Sequence, residues 1–261
     1  MLSPARIKKL KSLHQKKFRR QENQFLLEGN RLIEQALSAN AQIYEIWMTQ
    51  KSLDSETGKS FLQKFKEKNI SYNVVTEKII RQMSDSLNDQ GIIALAPFPE
   101  YKNFEHLPIN ALYLDNISDP GNMGTILRTA AWFGIKSVFR SPNCVDPFNS
   151  KVVRSAMGAH FYFTHFNVYP ESKILQDYID KGYEILGTDM NSKPIQSLKF
   201  DSDKGWILIL GNEANGMSKL VQSYITSTVS IPGIKGMESL NVSVAGGIFM
   251  HTLTSTSLVT N

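Results

Sequence analysis

Three stretches of the chain hold polar residues that ordinary connections do without. Asp119-Pro-Gly-Asn122 is turn chemistry with a good helix N-cap, and the helix behind it holds Arg128 among Ile126, Leu127, Ala130 and Ala131. A cation in the first turns of a helix is opposed by the dipole, so Arg128 suits an anion held at the strand ends or an internal salt bridge. In the second stretch, Gly211 and Gly216 lie between a strand and a helix with the spacing of a phosphate-binding loop, but the position after the second glycine is Met217 where that chemistry demands Lys. No G-x-G-x-x-G occurs either, which excludes a nucleoside triphosphatase and a dinucleotide site and leaves a backbone-rich loop with one carboxylate, Glu213. In the third stretch, Ser239, Asn241, Ser243, Gly246 and Gly247 stand where an ordinary helix would carry Ala, Leu or Glu. Small residues there admit a second backbone, and Ser239 and Asn241 offer donors and acceptors to a ligand at the helix entrance.

A second kind of chemistry is electrostatic. Residues 1–24 hold eight basic side chains, Arg6, Lys8, Lys9, Lys11, Lys16, Lys17, Arg19 and Arg20, against one acid, Glu22, so the remainder of the chain is slightly acidic at 21 against 23. A concentrated cationic segment on a near-neutral body attracts polyanions by counterion release, and a phosphate backbone is the commonest such partner. Leu2, Ile7, Leu10, Leu13 and Phe18 recur every three to four residues, which predicts one helix with an apolar stripe and a basic outer face. The competing reading of the same charges is a solvated helix face. Trp47 and Tyr72 are expected in the core.

These residues need a scaffold, and the pattern predicts one. At 261 residues with 41% hydrophobic and 20% charged residues, the composition is that of two ordinary globular domains. Strands are expected at 44–49, 71–76 and 91–96, and again at 111–115, 136–140, 183–188, 206–210 and 228–231, with helices between them. Alternation of this kind gives an α/β fold, and the continuous apolar strands of the second half mean a parallel sheet covered on both faces, whose ligands sit in the loops after the strands. Three prolines between Pro97 and Pro108 mark a connection, so the expected division is a first domain at 1–97, a linker at 98–110 and a second domain at 111–261. A single cysteine, Cys144, and five scattered histidines provide no metal cluster and point to the cytosol. No apolar run is long enough for a membrane helix or a signal peptide. Cys144, His160 and His165 are read as structural.

The three loops, taken in order, resemble the three motifs of the SpoU (TrmH-like) family of RNA ribose 2′-O-methyltransferases, within the SPOUT superfamily. Asn122, Gly124, Arg128 and Ala130 carry the first motif, Leu210 to Glu213 with Gly216 the second, and Ile231-Pro232 with Glu238 to Ala245 the third. Phe25 to Asn30 and the basic leader are similar to the L30e-like substrate-binding domain that precedes the catalytic domain in many members. The resemblance implies a deep trefoil knot in the C-terminal domain, a homodimer with its active site near the subunit interface, and S-adenosylmethionine held by Leu210, Gly211, Asn212, Ile231, Leu240 and Ala245. It implies methyl transfer to a ribose 2′-hydroxyl, of ribosomal RNA ahead of transfer RNA; the alternative is a non-catalytic RNA-binding or ribosome-assembly protein that keeps the fold. Arg128, Asn122, Glu213, Ser239 and Asn241 would be the catalytic set. An arginine is a poor proton acceptor, so Arg128 is expected to grip an RNA phosphate and the developing alkoxide while Glu213 or the phosphate takes the proton. Arg6, Lys8, Lys9, Lys16, Lys17, Arg19 and Arg20 would bind the RNA backbone, and neither a metal nor a membrane is implied.

Overall fold

Runs of branched and long apolar side chains become the buried strands of two sheets, one in each of two units. The computed structural model describes residues 2–86, 89–198, 204–234 and 239–258, so Glu238 of the third motif lies outside the described residues. Unit 1 comprises Met1–Glu100 together with Asp146–Phe161, and unit 2 comprises Tyr101–Val145 together with Tyr162–Asn261.

Unit 1 opens with α1 (Pro4–Ser12), where Ser3 caps the first turn by accepting the Arg6 N–H at 3.2 Å. The single helix expected over the basic leader is interrupted: the chain restarts at α2 (Lys16–Glu22). The cause is Arg19, whose guanidinium donates to the carbonyls of Leu13 at 2.8 Å and His14 at 2.7 Å just past the end of α1 and pairs with Asp146. Those carbonyls would otherwise be orphaned. Arg19 is therefore withdrawn from the RNA-binding set: it is 3% exposed and its two Nη groups donate inside the unit. Arg6 pairs with Glu45 at 3.2 Å and Lys9 with Glu22 at 2.6 Å, both from partly exposed positions.

The chain continues through β1 (Gln24–Glu28), α3 (Asn30–Ser38), β2 (Glu45–Thr49), α4 (Gln50–Asp54), α5 (Glu56–Glu67), β3 (Tyr72–Val75), α6 (Glu77–Met83) and β4 (Ile92–Pro97). The sheet order is β1-β4-β2-β3, with β4 antiparallel to both neighbours and β3 parallel to β2. Leu10 and Leu13 join Trp47, Leu95, Ile80 and Met83 in one core cluster, which is what the apolar stripe of the leader is for. Trp47 is fully buried as expected, whereas Tyr72, on edge strand β3, is 42% exposed.

In the second half come β5 (Asn110–Leu114), α7 (Pro120–Trp132) and β6 (Ser137–Arg140), after which α8 (Ser150–Ala156) belongs to unit 1. Unit 2 resumes with β7 (His165–Val168), α9 (Glu171–Asp180), β8 (Glu184–Pro194), β9 (Trp206–Leu210), α10 (Lys219–Gln222), β10 (Ser227–Ser230) and α11 (Val242–Leu258). Its six strands are all parallel in the order β10-β8-β9-β5-β6-β7, as the apolar runs predict. Tyr113, Ile207 and Ile209 pack with Ile174, Leu175 and Tyr178 of α9, while α7 lies against α11. Leu114 is in register with Leu210, so the loops that leave β5 and β9 start side by side. Among the described residues no helix is long and apolar enough to cross a membrane, and no group of three or more His, Cys, Asp or Glu is placed to hold a metal.

Candidate active site

The loops after β5 and β9 are tied together by Asp115, a residue the sequence reading passed over. Asp115 is 1% exposed at the end of β5; its N–H donates to the Leu210 carbonyl at 2.9 Å, and its carboxylate accepts the Ser218 N–H at 2.6 Å and the Asn116 amide at 2.8 Å. Both side-chain partners are donors, so the position calls for an acceptor-only group. Its only sequence signal, an acid directly after a buried strand, is too common to single it out. Asn116 adopts φ 57°, which turns its carbonyl toward Asn212, whose amide donates to it at 3.0 Å.

Within the second loop, Asn212 and Gly216 exchange backbone hydrogen bonds at 3.0 and 2.8 Å, and the Asn212 side chain accepts from the N–H groups of Ala214 and Asn215. The loop is thus closed on itself. A Cβ at Gly211 would lie 2.6 Å from the Gly216 carbonyl carbon and 2.7 Å from the Met217 nitrogen, which is why that position is glycine.

The closed loop presents Glu213 to α7. The Asn122 amide donates to a Glu213 carboxylate oxygen, and the Asn122 side-chain carbonyl accepts from the Asn241 amide at 3.0 Å. Asn241 in turn caps α11, accepting the Ser243 N–H at 2.9 Å and the Ser243 hydroxyl at 2.6 Å. Asn122 is held by the cap of its own helix, since its N–H donates to Asp119 at 2.8 Å. Three candidates from three separate motifs thus form one chain of hydrogen bonds, Glu213–Asn122–Asn241, with Glu213 exposed at its end. Gly246 brings α11 onto β9: a Cβ there would meet a Leu210 methyl at 2.9 Å.

The other candidates do not join this chain. Arg128 is exposed and has no hydrogen-bond or ion-pair partner among the described residues. It lies six residues beyond Asn122 on α7, about 9 Å along the axis and about 120° around it, on the side of Trp132, which is 84% exposed. Ser239 and Leu240 are exposed ahead of α11, and Ala245 is half-buried within its first turn. The backbones of Gly211, Ile231 and Leu240 make no hydrogen bond among the described residues. Free backbone amides and carbonyls suit a purine edge, and the buried Leu210 suits an apolar stem.

Residues 110–251 match the SpoU rRNA Methylase family, and residues 5–94 match the MRM3-like substrate binding domain. The chain belongs to the SpoU rRNA methylase family. It is an RNA methyltransferase of α/β fold. The chain is 32% identical to the 23S rRNA (guanosine(2553)-2′-O)-methyltransferase RlmP of Bacillus subtilis, over 95% of each chain. It is 30% identical to an uncharacterised tRNA/rRNA methyltransferase of Synechocystis sp., over 94% of this chain and 89% of that one. A solved structure from Porphyromonas gingivalis, assigned to the TrmH family of RNA methyltransferases, superimposes with a TM-score of 0.81 at 28% identity, covering 97% and 98% of the two chains. The range matched to the family contains the hydrogen-bonded residues Asn122, Glu213 and Asn241.

Proposed function

We propose that the enzyme methylates a ribose 2′-hydroxyl of ribosomal RNA in the cytoplasm. The observation that carries the reading is the Glu213–Asn122–Asn241 chain, which joins all three motifs at the carboxyl ends of the strands. S-adenosylmethionine supplies the electrophilic methyl group, held by the backbone at Gly211, Ile231 and Leu240 with Leu210, Asn212 and Ala245 around it. The ribose hydroxyl is a poor nucleophile until its proton is drawn away. Glu213 keeps one carboxylate oxygen on Asn122, which leaves the other to accept that proton. Asn122, Ser239 and Asn241 orient the ribose, and Arg128 grips the adjacent phosphate and the developing alkoxide. The working division is RNA capture by residues 1–97 with the inserted 146–161 segment, a connection at 98–110 and chemistry in the rest of 111–261, a reading supported by the two family matches.

A homodimer completes the site in this reading. Arg128 faces away from Asn122 and shares its side of α7 with the exposed Trp132, while Leu240 and Val244 are 48% and 52% exposed at the start of α11. Exposed apolar side chains, with a catalytic cation that has no partner among the described residues, suit a second copy of the chain. The trefoil knot belongs to the same reading: β10 returns outside β8 while β9 lies between β8 and β5.

The test incubates the protein with tritiated cofactor and ribosomal or transfer RNA, then digests the product with alkali and nucleases. Label in alkali-resistant dinucleotides from ribosomal RNA supports the proposal. Label confined to transfer RNA moves the substrate, label on a base removes the ribose chemistry, and no transfer leaves the binding-protein alternative.

A further inference from the structure

We propose that Asp115 is a positioning residue for methyl transfer: through the Ser218 N–H it sets where the loop of residues 211–218 stands, and with it Glu213 and the backbone at Gly211. The assignment rests on the cofactor reading given under the proposed function.

The loop behaves as one piece. Asn212 and Gly216 close it with a pair of backbone hydrogen bonds, and the Gly211 position has no room for a side chain, so the loop is placed by its anchors and not by its own flexing. Both anchors toward β5 come from two adjacent residues. At the far end the Ser218 N–H, where the chain enters α10, donates to Asp115 Oδ2 at 2.6 Å. At the near end the Asn212 side-chain amide donates to the Asn116 carbonyl at 3.0 Å. Asp115 serves this second anchor too, because its Oδ1 accepts the Asn116 side-chain amide at 2.8 Å and steadies the residue that turns at φ 57°. Asp115 is 1% exposed, and no cation pairs with it among the described residues. A buried carboxylate met by neutral donors alone costs stability, so such a group stands where placement matters more than stability. What it places lies between the two anchors: Glu213, whose carboxylate accepts from Asn122. Freeing the Ser218 end moves Glu213 and the Gly211 backbone together, and a misplacement of about 1 Å is enough to cost about 100-fold in rate.

The experiment uses the full-length protein. It measures amide hydrogen exchange over residues 211–218 without cofactor, S-adenosylmethionine affinity by calorimetry, and kcat and KM with a ribosomal RNA transcript, each well below the variant's thermal midpoint. Asp115→Ala removes both acceptors and is expected to speed exchange in the loop at least about 10-fold, to weaken cofactor binding at least about 10-fold and to lower kcat. The exchanged pair, Asp115→Asn with Asn116→Asp, rebuilds both ties. The new amide accepts the Ser218 N–H and donates to the new carboxylate, a residue type that tolerates the left-handed turn. Exchange and affinity should return to within about 3-fold of the wild type. Unchanged loop exchange or unchanged cofactor affinity in Asp115→Ala overturns the assignment. So does an exchanged pair that recovers slow exchange without affinity, which makes the charge at position 115, and not the placement of the loop, the active feature. If Asp115→Ala does not fold, the exchanged pair decides: near-wild-type exchange and affinity support the assignment, and lost affinity or a second failure to fold overturns it. A wild-type protein that takes up no S-adenosylmethionine speaks against the cofactor reading, and the exchange rates still decide whether Asp115 places the loop.

Discussion

Asn241 donates to the side-chain carbonyl of Asn122 at 3.0 Å across 119 residues of sequence, and Asn122 passes the contact on to Glu213. Each amide is used in both directions, as donor on one side and acceptor on the other. Asn122→Asp tests this, because it keeps the acceptor for Asn241 and places a second carboxylate against Glu213. Methyl transfer should fall about 100-fold while the urea midpoint moves little. Asn241→Ala should instead lose both activity and about 1 kcal/mol of stability, because it also uncaps α11. Equal effects of the two substitutions on stability would mean that the chain serves folding only.

Arg128 has no partner among the described residues, so its removal should leave the fold intact. Arg128→Ala is expected to lower single-turnover methyl transfer about 1000-fold with cofactor affinity unchanged by calorimetry. Retained turnover would take Arg128 out of the chemistry.

Gly211→Ala puts a methyl group where the Gly216 and Met217 backbone lies 2.6 to 2.7 Å away. Neither neighbour is the end of a flexible side chain, so the loop must open. We expect a loss of about 1 to 3 kcal/mol in urea unfolding and at least about 10-fold weaker cofactor binding. A variant with wild-type cofactor affinity would separate the closure of this loop from its binding role.

Charge in the leader divides into two kinds. Neutralising Lys8, Lys9, Lys16 and Lys17 should flatten the salt dependence of RNA binding without changing stability. Arg19→Met should do the reverse, costing about 3 kcal/mol through Asp146 and the uncapped carbonyls, with the salt slope intact in the folded fraction. Paired salt titrations and urea curves on the two variants check both halves.

His160 is fully buried and its Nε2–H donates to the Pro147 carbonyl at 2.8 Å; burial pulls its pKa from 6.5 down to about 4. A folded pKa below the unfolded one means the unfolded chain binds the proton first. Stability is therefore complete above about pH 7 and is lost as pH falls through 6.5 toward 4, by about 3 kcal/mol in all. Urea midpoints between pH 7.5 and 4.5 should show this decline, and His160→Phe should reduce its slope by about one proton. An equal slope in the variant would assign the acid sensitivity elsewhere.

The parallel strands of unit 2 were readable because an interior strand buried on both faces is apolar at every position, as in Trp206–Leu210. Strands β1 and β7 were not read as strands. Gln24–Glu28 runs directly into a helix, and His165–Val168 is a short, polar edge strand without that signature. The break after α1 was invisible because Arg19, classed by type as a surface cation, caps a helix from outside it. In the site, the motif residues were legible from unusual residue types in loops after strands. Asp115 was not, since an acid after a strand is individually unremarkable. Only its surroundings distinguish it: two donors converge on its carboxylate.

Unit 1 is assembled from two separated lengths of polypeptide, with Phe98 stacked on Phe148 at 4.0 Å and Arg19 lodged against Asp146. Scissors applied at the proline-rich connection would leave the amino-terminal fragment with a bare guanidinium and uncovered rings at Phe25 and Phe98. Anyone wishing to obtain the RNA-capturing half by itself must carry residues 146–161 along, spliced back by a short bridge.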